Sequence, residues 1–293
     1  MQPIIRLNCF DDRIEATYDD ALFTAYRFAG VPARPCFWPV CAPGDLPVTR
    51  DWPMIDNNPD ETRDHIHHRS IWTAYGDVNG ADNWSEEPGH GRTVHRSIQS
   101  VQNEPDHAQF EADSDWLSSS GERIIAQKMR VVFSSCGADA RIMDLDIRLI
   151  AADKDVHFGD TKEGGIVSVR VATSMDGDRG GLIDNSEGET TEAQTWGHAA
   201  KWCRYSGTVH GASVSITVMD HPTSFRFPTR WHVRDYGLMA ANPFALSAYT
   251  GGIEDGSHLL PRGEEMNFHY RVAVCSGNWS VERLNEIYQD YVK

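Results

Sequence analysis

Apolar and polar side chains alternate with a period of two through much of the chain. Across Arg141–Ile150, Met143, Leu145, Ile147 and Leu149 point one way, while Asp144, Asp146 and Arg148 point the other. Met266–Cys275 repeats the pattern with Met266, Phe268, Tyr270, Val272 and Val274. Val167, Val169 and Val171 oppose Ser168 and Arg170, and Val214, Ile216 and Val218 alternate with Ser215 and Thr217. Each run predicts a strand with one buried face, as in an antiparallel sheet. Turn-forming clusters at 137–139, 176–181 and 251–256 separate such runs. One helix is predicted, at about 280–292, where Ser280 caps a stripe of Val281, Leu284, Tyr288 and Tyr291. The acidic, aperiodic segment 176–195 reads as a long surface loop. With no internal repeat and no linker-like tract, the expectation is an all-β chain: a large antiparallel β-sandwich forming a single domain over 1–293, with a C-terminal helix. A supersandwich of the galactose-mutarotase-like kind falls within that expectation.

Composition narrows the class. Of 293 residues, 40% are hydrophobic and 24% charged, enough for a packed core. The 27 basic and 43 acidic side chains sum to -16, a balance that repels nucleic acid and anionic membranes. No run approaches the roughly 20 apolar residues of a membrane-spanning helix. The opening MQPIIRLNCFDD turns acidic where a signal peptide would be apolar, so a cytoplasmic protein is expected. The six cysteines include no C-x-x-C pair and read as reduced core thiols.

Histidine is the unusual component, at 13 residues, and it clusters. In Asp64-His65-Ile66-His67-His68-Arg69-Ser70-Ile71-Trp72, a strand would set His65, His67 and Arg69 on one face, with His68 and Trp72 on the other. Such histidines suit proton transfer near neutral pH or chelation of a metal. Downstream, Asn79-Gly80 marks a loop offering Asp77, Asn79 and Asp82 beside Trp72 and Trp84, a combination suited to a sugar's hydroxyls and C–H face. His232 and Arg234 in Trp231-His232-Val233-Arg234-Asp235-Tyr236-Gly237 share a strand face, although Arg234 and Asp235 could pair with each other. Glu163, flanked by Lys162 and Gly164-Gly165, is a further acid or base. The chain lacks the phosphate-loop, dinucleotide-fold and Gly-x-Ser-x-Gly signatures.

On these motifs the chain resembles a bacterial family catalogued as PmoA-related, or "methane oxygenase PmoA". The resemblance rests on Arg34-Pro35, Pro47-Val48-Thr49-Arg50, the histidine segment 64–72, Gly76–Gly80, Gly159–Gly165 and Trp231–Leu238, and spans about Arg34 to Phe244. Family members often carry proline and glycine where this chain has Ile66 and Ser70. The resemblance implies a connection to carbohydrate utilisation, since relatives occur among carbohydrate-utilisation genes; the monooxygenase label fits poorly, because its namesake subunits are membrane proteins.

The leading expectation is a carbohydrate-active enzyme acting on a sugar or keto sugar by elimination, hydrolysis or isomerisation. His67, His232 and Glu163 are its proton-transfer candidates. His68, Arg69, Trp72, Asp77, Asn79, Trp84, Arg234 and Asp235 are its substrate-binding candidates, and no cofactor is required. One alternative is a divalent-metal enzyme with His65 and His67 as ligands and Asp77 or Glu163 completing the site. Another is a carbohydrate-binding protein without catalysis. The partner expected in each case is a small carbohydrate, with neither nucleic acid nor a membrane involved.

Overall fold

The computed structural model describes residues 3–56 and 58–293; Met1, Gln2 and Asn57 lie outside it. Two large antiparallel sheets dominate. The first passes in order through Ile5–Cys9, Arg13–Tyr18, Ala21–Arg27, Cys36–Ala42, Ile71–Tyr75, Gly164–Arg170, Leu238–Ala241 and Trp231–Arg234, with Leu46–Pro47 paired to Cys36–Ala42. The second passes through Leu182–Asn185, Trp202–Val209, Ala212–Asp220, Glu265–Ser276, Ala140–Ile150, Arg123–Ser134, Ala108–Leu117 and Arg92–Asn103. Val156–Phe158 and His258–Leu260 form a separate small pair. The inward rows of the two sheets share one apolar cluster: Val167, Val169, Val233 and Met239 from the first, and Met143, Leu145, Ile147, Phe268, Tyr270 and Val272 from the second. The chain is therefore an all-β sandwich, with the alternation at 141–150 and 266–275 facing this core as expected.

Two of the predicted strands bury both faces. Ser215 and Thr217 are buried along with Val214, Ile216 and Val218. Thr217 pairs with Ala273 and Ser215 with Cys275. That outer face carries the C-terminal helix, Val281–Tyr291, whose Leu284, Ile287 and Tyr288 pack on Ala273 and Cys275. Ser280 Oγ caps the helix by accepting from Arg283 N at 3.3 Å. Val281, expected on the apolar stripe, is exposed instead, and Ile287 packs where the stripe required a fourth residue.

Ser168 and Arg170 are buried because the outer face of the first sheet is also covered. Trp38, Trp72, Ala74, Trp84, Leu238 and Ala240 form a second apolar layer there, packed by Met54 and Tyr236. The segment 176–195 is not the expected loop. It contains a short 3-10 turn at Gly177–Arg179, the edge strand Leu182–Asn185 and the helix Thr191–Thr195, and Asp176 is buried at its start. Cys36, Cys203 and Cys275 are buried, Cys41 is partly buried, and Cys9 and Cys136 are exposed, so three of the six thiols are not core residues; none is paired. Among the described residues, no helix is long and apolar enough to cross a membrane.

Candidate active site

Strand register places four residues in one row on the covered face of the first sheet. Trp72 pairs with Ser168, Ser168 with Ala240, and Ala240 with His232. Directly paired residues share a face, so the row reads large, small, small, large. Trp72 and His232 stand three strand spacings apart at the backbone, roughly 14 Å. Gly165 extends the low floor between them: a Cβ there would lie 2.4 Å from Ser168 Oγ and 2.6 Å from Ala240 Cβ.

The histidine segment forms the wall at Trp72, but as a turn rather than the expected strand, which begins only at Ile71. His68 N donates to His65 O at 2.9 Å. His65 and Ser70 have φ of 43° and 60°, in the left-handed region that strands do not use. Ser70 stands where the resembling family often carries glycine, the residue that takes such angles freely. Ile66, the apolar residue behind the apparent alternation, is exposed. The turn brings aromatic rings together: His65 stacks on His68 at 4.7 Å, and His68 on Trp72 at 5.3 Å. His67 meets His68 edge-on at 4.5 Å and Trp84 at 5.7 Å.

Two buried clusters, each with an acid shared between arginines, hold this wall. Asp64 accepts from Arg50 Nη1 at 2.6 Å and lies 2.9 Å from Arg170 Nη2. Burial opposes the Asp64 charge, but His65, Arg170 and Arg50 outweigh it and hold the carboxyl well below the usual carboxylate range. Glu86 accepts from Arg69 Nε and Nη2, both at 2.7 Å, and lies 3.7 Å from Arg34 Nη1. Arg34 Nη2 also donates to the carbonyls of Asn83, Trp84 and Ser85, while Nη1 reaches His67 O at 3.4 Å. Two guanidiniums to one carboxylate leave each cluster positive, which disfavours an imidazolium nearby. Burial, then Arg34 and His65, push the His67 pKa down to about 4, against the pull of Glu86 and Glu163. Burial, then His67 and Arg170, hold His68 well below the ordinary histidine range.

His232 forms the opposite wall and is 2% exposed. Burial pushes its pKa down to about 4, against the pull of Glu163. Trp196 lies edge-on to it at 6.5 Å and to Tyr249 at 5.1 Å. Glu163 is half exposed at the rim, with Lys162 Nζ 3.2 Å away. Its charge raises the pKa of both His67 and His232, against the effect of burial. Asn242 Nδ2 donates to Thr161 O and Lys162 O, and Gly76 N donates to Glu163 O, which together hold the Glu163 loop against the sheet. Several buried polar atoms here lack a well-formed hydrogen bond: His67 Nε2, the indole nitrogens of Trp72, Trp84 and Trp196, and the ring nitrogens of His232, to which the Lys162 backbone comes near enough to raise the pKa. Buried polar atoms are ordinarily satisfied, so these call for ordered water or for a group admitted by local opening.

Other expected site residues are placed differently. The Arg69 fork is taken by Glu86, because both residues lie beneath the histidine turn. Arg234 pairs with Glu192 at 2.8 Å rather than with Asp235, whose side chain is exposed and whose backbone N donates to Glu192 Oε2. Arg69 is engaged at two of its fork nitrogens, whereas Arg234 meets Glu192 through Nε. Asp77 Oδ1 accepts from Gly80 N, and Asn79 accepts from His157 N and donates to Asp155 O, so both residues build the loop beside the small strand pair instead of a sugar platform. Trp72 and Trp84 are each 2% exposed and offer no open ring face, and their unbonded indole N–H groups are buried as well. The expected metal set is not assembled: His65 Nδ1 is held by Asp64 at 3.0 Å, and Asp77 is in the loop just described. Among the described residues, no three His, Cys, Asp or Glu side chains are grouped to hold a metal ion.

Tyr236, Trp196 and Tyr249 were not anticipated. Tyr236 lies in the turn before Gly237 (φ 94°), stacks on His65 at 4.8 Å, and has Arg170 and Arg234 over its ring. The Tyr-Gly pair in an otherwise polar turn was the available signal; Trp196, from the aperiodic segment, gave none.

The family model described as "Family of unknown function (DUF6807)" matches residues 13–289. No curated protein matches the chain. One matching solved structure is a polysaccharide lyase, at 10% identity and a TM-score of 0.29, with 95% of this chain and 33% of that one covered. The chain thus spans about a third of that lyase's length, and similarity at this level leaves function to be argued from the site.

Proposed function

The chain belongs to the DUF6807 family, whose function is unknown, and we propose that it is an enzyme moving protons on a small carbohydrate, with His67 and His232 as the transfer groups. The observation that carries this reading is a pair of imidazoles held neutral by burial, His67 against the Trp84 and His68 rings and His232 at the far end of the row of small residues. Each imidazole is neutral at pH 7 and so in its accepting form, and its low pKa makes the imidazolium a strong donor that returns the proton to a neighbouring atom. Glu163 stabilises the imidazolium formed at either histidine. On local opening, the indole N–H groups of Trp72 and Trp84 supply donors for hydroxyl or carbonyl oxygens.

Paired-carboxylate glycoside hydrolysis fits less well, because Asp64, Glu86 and Glu192 are engaged by arginines and Glu163 alone faces the two histidines. Proton abstraction beside a carbonyl, leading to isomerisation or elimination, suits the residues better. With Arg69 and Arg234 both paired, an uncharged sugar or keto sugar suits the site better than a sugar acid. The resemblance to PmoA-related proteins points to the same substrate class. Non-catalytic binding has less support, since the tryptophans do not form an open strip.

Aldoses, ketoses and keto-aldoses incubated with the protein in D2O and followed by NMR test this reading. Deuterium incorporation or a new product is expected, and both should be lost in H67Q and H232Q. Full exchange by both folded variants overturns the assignment.

A further inference from the structure

We propose that Asp64 and His65 form a catalytic dyad at the mouth of this site, with His65 Nε2 as the base that takes the proton from a substrate carbon. The proposal rests on the reading above and adds a residue to it. Three independent features of His65 support it.

The first is orientation. Asp64 Oδ2 lies 3.0 Å from His65 Nδ1. Arg50 and Arg170, both with fully buried side chains, grip the same carboxylate. An acid so placed stays ionised and can only accept, so the proton of a neutral His65 sits on Nδ1 and the lone pair on Nε2. The same carboxylate then stabilises the imidazolium formed when Nε2 takes a proton.

The second is backbone conformation. The φ of 43° at His65 is uncommon for a residue with a side chain and persists only where the surroundings impose it. Here Arg50 Nη2 and His68 N both donate to the His65 carbonyl, at 3.0 and 2.9 Å. The ring is clamped as well, stacked on Tyr236 and His68. The fold thus fixes a ring that packing alone would leave free.

The third is access. The His65 side chain is 39% exposed, whereas His68 and His232 are buried. Three other histidines face a carboxylate: His107 with Asp106, His198 with Glu189 and His269 with Asp146. Among the described residues, none of these acids is held by two buried arginines.

In the proposed step, the Nε2 lone pair takes a proton from the carbon next to a substrate carbonyl. The C–H electron pair becomes the enolate double bond, and the carbonyl π pair moves onto oxygen. Where the deprotonated carbon bears a hydroxyl, the enolate oxygen takes a proton, the hydroxyl gives up its own to form the new carbonyl, and the former carbonyl carbon takes a proton. Otherwise the carbonyl re-forms and a β-oxygen leaves, taking a proton as it goes. His67 or His232 serves the second transfer.

One arm of the test needs no substrate. Diethyl pyrocarbonate at neutral pH, followed by peptide mapping, should modify His65 several-fold faster than His107 and His198, and D64N should abolish that lead. Because D64N leaves two buried guanidiniums unbalanced and can unfold, long-range 15N NMR of the unaltered protein reads the tautomer directly. Equal modification rates, or a proton on Nε2, overturn the dyad. The other arm is turnover in the D2O assay. H65Q, melting like the parent protein, should lose roughly 10²–10⁴-fold in kcat. If H65Q keeps exchange while H67Q loses it, the dyad fails and the site reading stands. If H65Q, H67Q and H232Q all keep it, both fail.

Discussion

Arg170 Nη1 donates to His68 Nδ1 at 3.2 Å in a wholly buried contact. A guanidinium has no acceptor and keeps its charge, so His68 is neutral with its proton on Nε2. Arg170 thereby fixes the tautomer of the central ring in the stack and, through Asp64, orients His65.

Arg170→Met removes the hydrogen bond to His68 but leaves Asp64 paired with Arg50, so a loss of about 1–3 kcal/mol is expected, the usual effect of leaving a buried polar group without its partner. Urea unfolding measures it. In folded R170M, the His68 15N shifts should report a mixture of tautomers, whereas a change under 1 kcal/mol with an unchanged tautomer would show that the contact is incidental.

The sheets were legible because their packing is local in sequence. A strand with one face on an apolar core writes a two-residue period, as at Met143–Leu149, and a capped amphipathic helix writes Ser280 and its stripe. The histidine segment misled for the same reason: Ile66 between two histidines imitates alternation, while the φ values that break the strand belong to His65 and Ser70, neither of them glycine. The row Trp72, Ser168, Ala240 and His232 is set by sheet register between strands far apart in sequence, which no local pattern records. Arginine partners could not be read at all. Arg69 pairs with Glu86 seventeen positions away, and Arg234 pairs with Glu192 from a segment that lacked any period.

Glu86→Gln should be more damaging than Arg69→Met. The first leaves Arg34 and Arg69 buried together without an anion, and a loss of about 3–5 kcal/mol is expected. The second leaves Glu86 facing Arg34 alone, a balanced pair, so the loss should be clearly smaller. Denaturant midpoints of the two variants decide it, and the reverse order would mean that Glu86 is not the shared counter-ion.

The stability of the protein should depend on pH through opposing groups. The pKa of His232 is lowered to about 4, against about 6.5 in an unfolded chain. Its contribution is full above the unfolded value and lost as pH falls through the folded one. Asp176 runs the other way. Burial first of all raises it to about 7, against the pull of Arg170 and Thr62, from an unfolded value near 3.9. Its contribution is full below the unfolded value and lost as pH rises through the folded one. H232Q should therefore be more destabilising at about pH 8 than at about pH 5, and D176N more destabilising at about pH 5 than at about pH 8. Thermal melts of both variants across this window test the signs, and a parallel pH dependence would contradict the assignment.

Ala240→Val tests whether the floor of small residues is where a substrate lies. Ala240 sits between Ser168 and His232 in the row, and its methyl is already close to Gly165. Two added carbons must either displace Ser168 and the Gly165 backbone or project into the space between the walls. Overpacking of this kind destabilises by about 1–3 kcal/mol. Ala241→Val is the matched control: it adds the same volume to the next residue along the strand, which faces the inter-sheet core instead. Both variants should lose similar stability, because both sites are fully buried. Only A240V should also lose kcat/KM in the D2O exchange assay, measured well below its melting temperature, since it alone crowds the row between Trp72 and His232. Equal turnover by the two variants would place the reacting sugar away from this floor, and with it the roles assigned to both histidines.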